Sequence, residues 1–203
     1  MVREYSDIQY HVADGIATLT IDRPAVKNAF SETTIAELNH AIQRFRDDDG
    51  ALVAILTGAE DGFCAGADVT EMPDWPEMGK EAFSEYIESV QNVVRGLRGS
   101  DKPTIAAVNG PAVGAGCDFA LACDIRIMGT DGFLREGFVN IGLISGDGGA
   151  WLLPRLIGEA KAREYLLTGR DISPDTAVDL GLAVEVSDEP VPAARSRSSA
   201  GVS

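Results

Sequence analysis

Apolar positions along the chain change period several times, and each change marks an element. Ile8–Val12 and Ile16–Ile21 are short runs rich in β-branched residues, separated by Ala13-Asp14-Gly15, which reads as a hairpin. A loop over Asp22–Phe30, containing Pro24, then leads to Ser31. Beyond Ser31, Ile35, Leu38, Ile42 and Phe45 recur at helical spacing, so a serine-capped helix is predicted, ending at Asp47–Gly50. His40 is off that stripe, so it and the Asp47–Gly50 run are read as solvated. Ala51–Thr57 is a buried-looking strand, and a glycine-containing loop follows through Gly66. Phe83, Ile87, Val90, Val94 and Leu97 define a second amphipathic helix over Lys80–Leu97. Strand Thr104–Val108, the small-residue stretch Asn109–Gly116, a short helix over Cys117–Ala122 and a strand over Asp124–Met128 come next. The glycine-rich stretch Gly142–Gly149 opens helices at Ala150–Ile157 and Glu159–Thr168. Ser173-Pro174 places a cap before a proline at the first helical position, for a short helix to about Leu180, and Leu182–Val186 reads as a last strand.

Strands followed repeatedly by helices imply an α/β fold with helices packed on sheets. Periodicity alone does not separate this pattern from a doubly wound nucleotide-binding fold. The 203 residues are 45% hydrophobic and 24% charged, the balance of one soluble globular core. The apolar runs Ala51–Leu56 and Ile105–Val108 are too short to span a bilayer, so no membrane span is expected. The N-terminus lacks an apolar stretch behind a basic start, so the expectation is a cytoplasmic protein without a secretory signal. Cys64, Cys117 and Cys123 form no CxxC and read as small buried hydrophobes. With only His11 and His40, far apart, no metal site is expected. A net charge of −15 argues against a nucleic-acid partner.

Chemistry concentrates in two loops. Gly62–Asp68 (GFCAGAD) and Asn109–Asp118 (NGPAVGAGCD) each follow a strand and place small residues where a helix is about to begin. Small residues there let a ligand approach the backbone and leave N–H groups free to donate. The segments IDRPAVKNAF, GFCAGAD, KPTIAAVNGPAVGAGCDFALACDIRI and GLISGDGGAWLLPRLIG, in this order, resemble the signature set of the crotonase (enoyl-CoA hydratase/isomerase) superfamily. The motifs cover Ile21 to Gly158, with looser similarity from about Val2 to Val186.

That resemblance implies a crotonase-like spiral of repeated β-β-α units and an acyl-CoA thioester as substrate. No separate cofactor is implied, coenzyme A being part of the substrate. An oxyanion hole would be formed by the backbone N–H groups of Ala67 and Ala115, where glycine is usual at the second position. The coenzyme A nucleotide would lie against Ala25, Val26 and Lys27. Ala65, Gly66, Ala67, Asp68 and Val69 would line the adenine and pantetheine path. Coenzyme A is polyanionic and the chain is acidic, so such a site must depend on local donors, Lys27 among them.

The acid–base residues fit less simply. Asp118 stands where the family's first catalytic glutamate is expected, and is read as catalytic against the alternative of a structural helix cap. Phe138 stands where the second is expected and cannot transfer a proton, so it is assigned to the pocket wall with Trp151. Glu136, two positions earlier, is read as on the wrong parity if this stretch is extended or on a different face if it is helical, and is expected to be exposed. Asp147, inside Gly146–Gly149, is either a second catalytic acid or the cap of the following helix. This pattern favours double-bond isomerisation, or an unusual hydration, over two-glutamate hydration. A catalytically impaired acyl-CoA-binding or scaffold protein is the alternative. A dinucleotide-binding oxidoreductase is weak, because Gly110–Gly116 lacks the GxGxxG spacing.

The core domain is drawn at residues 1–186. Residues 187–203 (SDEPVPAARSRSSAGVS) lack apolar periodicity and are expected to be a disordered or truncated tail, with the family's C-terminal helical region missing. The homotrimer or hexamer implied by the family is therefore doubtful.

Overall fold

A computed structural model of the protein describes residues 5–70 and 77–199. The N-terminal runs pair antiparallel as β1 (Ile8–Ala13) and β2 (Ile16–Ile21), with Asp14 and Gly15 at positive φ in the turn. Parallel to β2 run β3 (Val53–Gly58), β4 (Thr104–Val108), β6 (Ile125–Gly129) and β8 (Glu185–Ser187). They complete a six-stranded sheet in the order β1-β2-β3-β4-β6-β8. A second, narrower layer pairs β5 (Pro111–Val113) with β7 (Phe133–Arg135), and single bridges extend it: Phe30 to Ala67, Cys64 to Ala112, and Leu134 to Ile172.

The chain visits these layers in a fixed cycle. β2 leads to the bridge at Phe30 and then α1 (Glu32–Asp47); β3 leads to the bridges at Cys64 and Ala67 and then α2 (Lys80–Arg98). β4 leads to β5 and α3 (Ala115–Ala122), and β6 leads to β7, α4 (Gly149–Ile157) and α5 (Glu159–Thr168). These are the repeated β-β-α units of the expected spiral. The short strands β5 and β7 escaped the sequence reading, because three residues are too few to show a period.

Local chemistry sets the element ends. The Ser31 hydroxyl accepts from Thr34 N at 3.1 Å while Thr34 Oγ1 accepts from Ser31 N at 3.0 Å, a reciprocal cap at the start of α1. Ser173 caps α6 (Pro174–Asp179) in the predicted way. Buried Arg126 closes the other end of α3: its guanidinium donates to the carbonyls of Cys123 (2.5 Å), Ala120 (3.3 Å) and Leu182. That side chain ties α3 to the turn that leads into β8.

The main core lies between the large sheet and α1, α2 and α3, around Leu19, Phe30, Phe45, Leu56 and Phe119. Every residue of β3 and β4 is buried, so both faces of the sheet are covered at its centre. The cover on the far face is the segment expected to be disordered. Residues 190–199 form α7 (Pro190–Ser199), which packs Ala194 against Ile16, Val53, Ile55, Ile105 and Ile127. Residues 185–187 form β8, so the boundary at 186 falls inside a strand. The expected tail is thus corrected over 187–199; residues 200–203 lie outside the described residues. Among the described residues no helix is long and apolar enough to cross a membrane.

Candidate active site

Two asparagines fix the loop that carries GFCAGAD. Asn28 Nδ2 donates to the carbonyls of Ala59 (2.8 Å) and Gly62 (2.7 Å) from one side. Asn109 Nδ2 donates to Gly58 (2.8 Å) and Glu60 (2.8 Å) from the other. Neither role is visible in the sequence, because each asparagine reaches across 30 residues or more. The loop then enters the small layer, with Cys64 N bonded to Pro111 O (3.0 Å) and Val113 N to Cys64 O (2.9 Å). Phe30 takes the next two groups, donating to Gly66 O and accepting from Asp68 N, both at 2.9 Å. Peptide groups alternate sides along an extended strand, so the N–H of Ala67 points away from Phe30. Gly66 has φ +93°, and a Cβ there would stand 2.9 Å from Val113 O, so the bend is restricted to glycine.

Asp68 is buried and engaged. Arg23 donates to it at 3.1 Å and to Ala29 O at 2.5 Å, and Thr70 donates through N and Oγ1. Hydrogen bonds from Thr70 and Arg23 hold its carboxyl below the usual range. Its side chain clamps the IDRP and AGAD segments together, which differs from the expectation that it lines a ligand path. Ala25 and Val26 lie in an exposed 3-10 turn, and Lys27 is exposed beside them. Lys27 sits in the left-handed region (φ +54°) and pairs with Asp61 at 2.6 Å, so its ammonium has an acidic neighbour already.

In the second loop Gly114 (φ +56°) is the N-cap of α3 and Ala115 its first residue. The first N–H groups of a helix have no acceptor within it, so that of Ala115 is available to a ligand. Ala67 and Ala115 both border a cavity of about 210 Å³, whose walls include Phe30, Ala65, Gly66, Tyr86, Val90 and Phe138. Val69 borders it too, at 70% exposure. Phe138 therefore has the pocket-wall position expected of it. Trp151 is half-exposed, outside this cavity, under the guanidinium of Arg155.

Among the described residues, one carboxyl borders the cavity: Asp147. It caps nothing, since α4 has Gly148 as its N-cap with no side-chain bond. Asp118 is fully buried inside α3, one layer beneath the cavity wall, and makes no capping bond either. Glu136 is also buried, and its expected exposure is overturned. Residues two apart on an extended strand share a face, so parity could not have turned Glu136 away from Phe138. Moreover, β7 ends at Arg135 and a 3-10 turn begins at Gly137, so the period breaks at Glu136. Both buried carboxyls press on Gly149: a Cβ there would lie 2.1 Å from Glu136 Oε1 and 2.3 Å from Asp118 Oδ1.

These three groups have raised pKa values. Burial, then the charge of Glu136, pushes Asp147 up to about 6. Burial and the Glu136 carboxyl drive Asp118 well above the carboxylate range, and burial raises Glu136. The cysteines are buried, with Cys64 and Cys123 pushed up to about 12, which makes them inert thiols.

With this geometry in place, the known relatives are informative. The model of one family, described as enoyl-CoA hydratase/isomerase, matches residues 11–197. The chain belongs to that family. A probable enoyl-CoA hydratase of Mycobacterium tuberculosis is 37% identical over 94% of this chain and 73% of its own length. A 1,2-epoxyphenylacetyl-CoA isomerase of Escherichia coli is 37% identical over 88% of this chain and 69% of its own. A short-chain-enoyl-CoA hydratase of Clostridium acetobutylicum is also 37% identical, but the chain spans only 65% of it. Among solved structures, an enoyl-CoA hydratase/isomerase from Mycobacterium paratuberculosis superposes with a TM-score of 0.91 at 32% identity, covering 97% of this chain and 78% of that one. The match of the enoyl-CoA hydratase/isomerase family to residue 197 agrees with α7 being part of the fold.

Proposed function

We propose that this enoyl-CoA hydratase/isomerase family member moves a proton on an enoyl-CoA thioester, with the N–H groups of Ala67 and Ala115 holding the thioester oxygen. The observation that carries this reading is that both residues and Asp147 border one apolar cavity. Ionised Asp147 takes a proton from C2 of a 3-enoyl thioester, and the electron pair runs to the carbonyl oxygen. Two fixed donors then stabilise the enolate, each by about 3–4 kcal/mol. Protonated Asp147 returns the proton to C4, and the enolate collapses with the double bond between C2 and C3. No water is consumed, so a single acid at the cavity suffices. Hydration would need a second group to activate water, at the place where Phe138 stands.

Coenzyme A enters as part of the substrate, with its nucleotide on the exposed Ala25–Lys27 turn. Lys27 would have to exchange Asp61 for a phosphate there. Purified protein offered crotonyl-CoA, a 3-enoyl-CoA and a 3,5-dienoyl-CoA tests the reading. Turnover of the 3-enoyl thioester, lowered at least about 100-fold in Asp147→Asn, is the expected result. Binding of acyl-CoA without turnover of any substrate would favour a catalytically impaired acyl-CoA-binding protein, the role that Phe138 at the acid position suggests.

A further inference from the structure

Asp118 from α3, Glu136 from the junction after β7 and Asp147 from the loop before α4 bring three carboxyls into one buried region. Both oxygens of Asp118, both of Glu136 and Oδ1 of Asp147 lack hydrogen-bond partners among the described residues. No ion pair of the described residues involves any of the three. Their neighbours offset the charge only weakly: the Gly149 backbone lowers the pKa of Asp118 and Ser145 that of Glu136, but burial outweighs both. From α3 comes Cys117, a thiol that burial keeps neutral. From α2, Tyr86 faces the cavity, while Arg95 and Arg98 border an outer groove on the other side of Asp147. From α4, Gly149 packs against both carboxyls, and a Cβ there would displace them. Two adjacent carboxylates cannot both ionise in so dry a place, so one proton must be shared between them.

We propose that Asp118 and Glu136 form one proton-sharing carboxyl pair that sets the charge state of Asp147. Glu136 is a positioning residue that supplies, from two residues upstream, the acidic character missing at Phe138. The single negative charge of the pair opposes ionisation of Asp147 and brings its midpoint up to about 6, close enough to neutrality for a group that takes and returns a proton. The catalytic consequence rests on the enoyl-CoA reading; the coupling itself does not.

Carbon-13 labelling of the side-chain carboxyls, followed by NMR titration of the substrate-free protein, tests the coupling directly. In the native protein the Asp118 and Glu136 resonances are expected to move together, each showing both steps of a coupled titration. In Glu136→Gln, with folding verified by thermal unfolding, the Asp147 midpoint should fall from about 6 by on the order of half to one pH unit. Glu136→Asp, which keeps the charge, should restore it. An unmoved Asp147 midpoint in folded Glu136→Gln overturns the proposal. So does independent titration of Asp118 and Glu136 in the native protein, a reading available even if the variant fails to fold. If the enzyme turns over, the acid limb of its kcat/KM profile should follow the NMR midpoint into lower pH in Glu136→Gln. Absence of turnover with the coupling intact would remove the enoyl-CoA reading alone.

Discussion

Asp147 is the residue at which function and stability oppose each other. Its carboxyl titrates near 3.8 when unfolded and near 6 when folded, so the folded state holds the proton more tightly. Folding stability is therefore undiminished below pH 3.8, falls as pH rises through the window to about 6, and stays lower above it. A shift of that size corresponds to roughly 2–3 kcal/mol. Asp147→Asn, which cannot ionise, should accordingly raise the urea-unfolding free energy at pH 8 by about 2–3 kcal/mol, and at pH 4.5 by only about a third of that. Equal effects at both pH values would mean that Asp147 is not held against its ionisation. Asp118 and Asp147 were legible through the family resemblance, whose motifs carry an acid at the first of these positions and one residue before the second. Glu136 was not, since its burial depends on Gly149, 13 residues away, leaving a hole where a side chain would be.

At the scale of elements, the candidate donors are only as well placed as the contact between α3 and the loop after β3. That contact is backbone against backbone: a Cβ on Gly116 would lie 2.2 Å from Cys64 O and 2.8 Å from Cys64 Cβ. Gly116→Ala must therefore push α3 away from the loop that carries Ala67, and neither side has a flexible end to yield. An expected loss of about 1–3 kcal/mol in stability should be accompanied by a fall of at least about tenfold in kcat, because donor placement tolerates little error. Chemical denaturation and steady-state kinetics on the same preparation check both; full activity with reduced stability would separate the two loops functionally. Long helices and the central strands were readable because their periods extend over many residues. The small layer, made of three-residue strands and single bridges, was inferred from the family resemblance alone, since its order is set by contacts between distant loops.

For the molecule as a whole, the two faces of the large sheet are covered by different means. The inner face packs on α1 and α2, whose apolar stripes announce themselves in the sequence, and on α3, which is buried all round. The outer face is closed by α7, whose sequence PVPAARSRSS carries no such stripe. It need not, because a small surface suffices: Ala194 fits flat against Ile55, Ile105 and Ile127, with Val191 and Ala193 beside it. Polar anchors complete the attachment, Arg195 donating to Thr18 Oγ1 at 2.9 Å and Arg197 pairing with Glu185 at 2.8 Å. A composition typical of disorder thus folds because a preformed apolar sheet face receives it, which single-segment reasoning does not see. If that account is right, the contact at Ala194 should matter far more than its methyl group suggests. Ala194→Asp would bury a carboxylate against three isoleucines, at a cost of several kcal/mol. It should lift α7 off and expose the sheet face. The expected signs are a lower melting temperature, new binding of a hydrophobic dye, and loss of amide protection in residues 190–199 and in β3 and β4 on hydrogen exchange. Ala194→Ser, which changes little in size, should keep that protection. Unchanged exchange in the aspartate variant would mean that α7 is dispensable to the fold, and that the sheet face is stable without it.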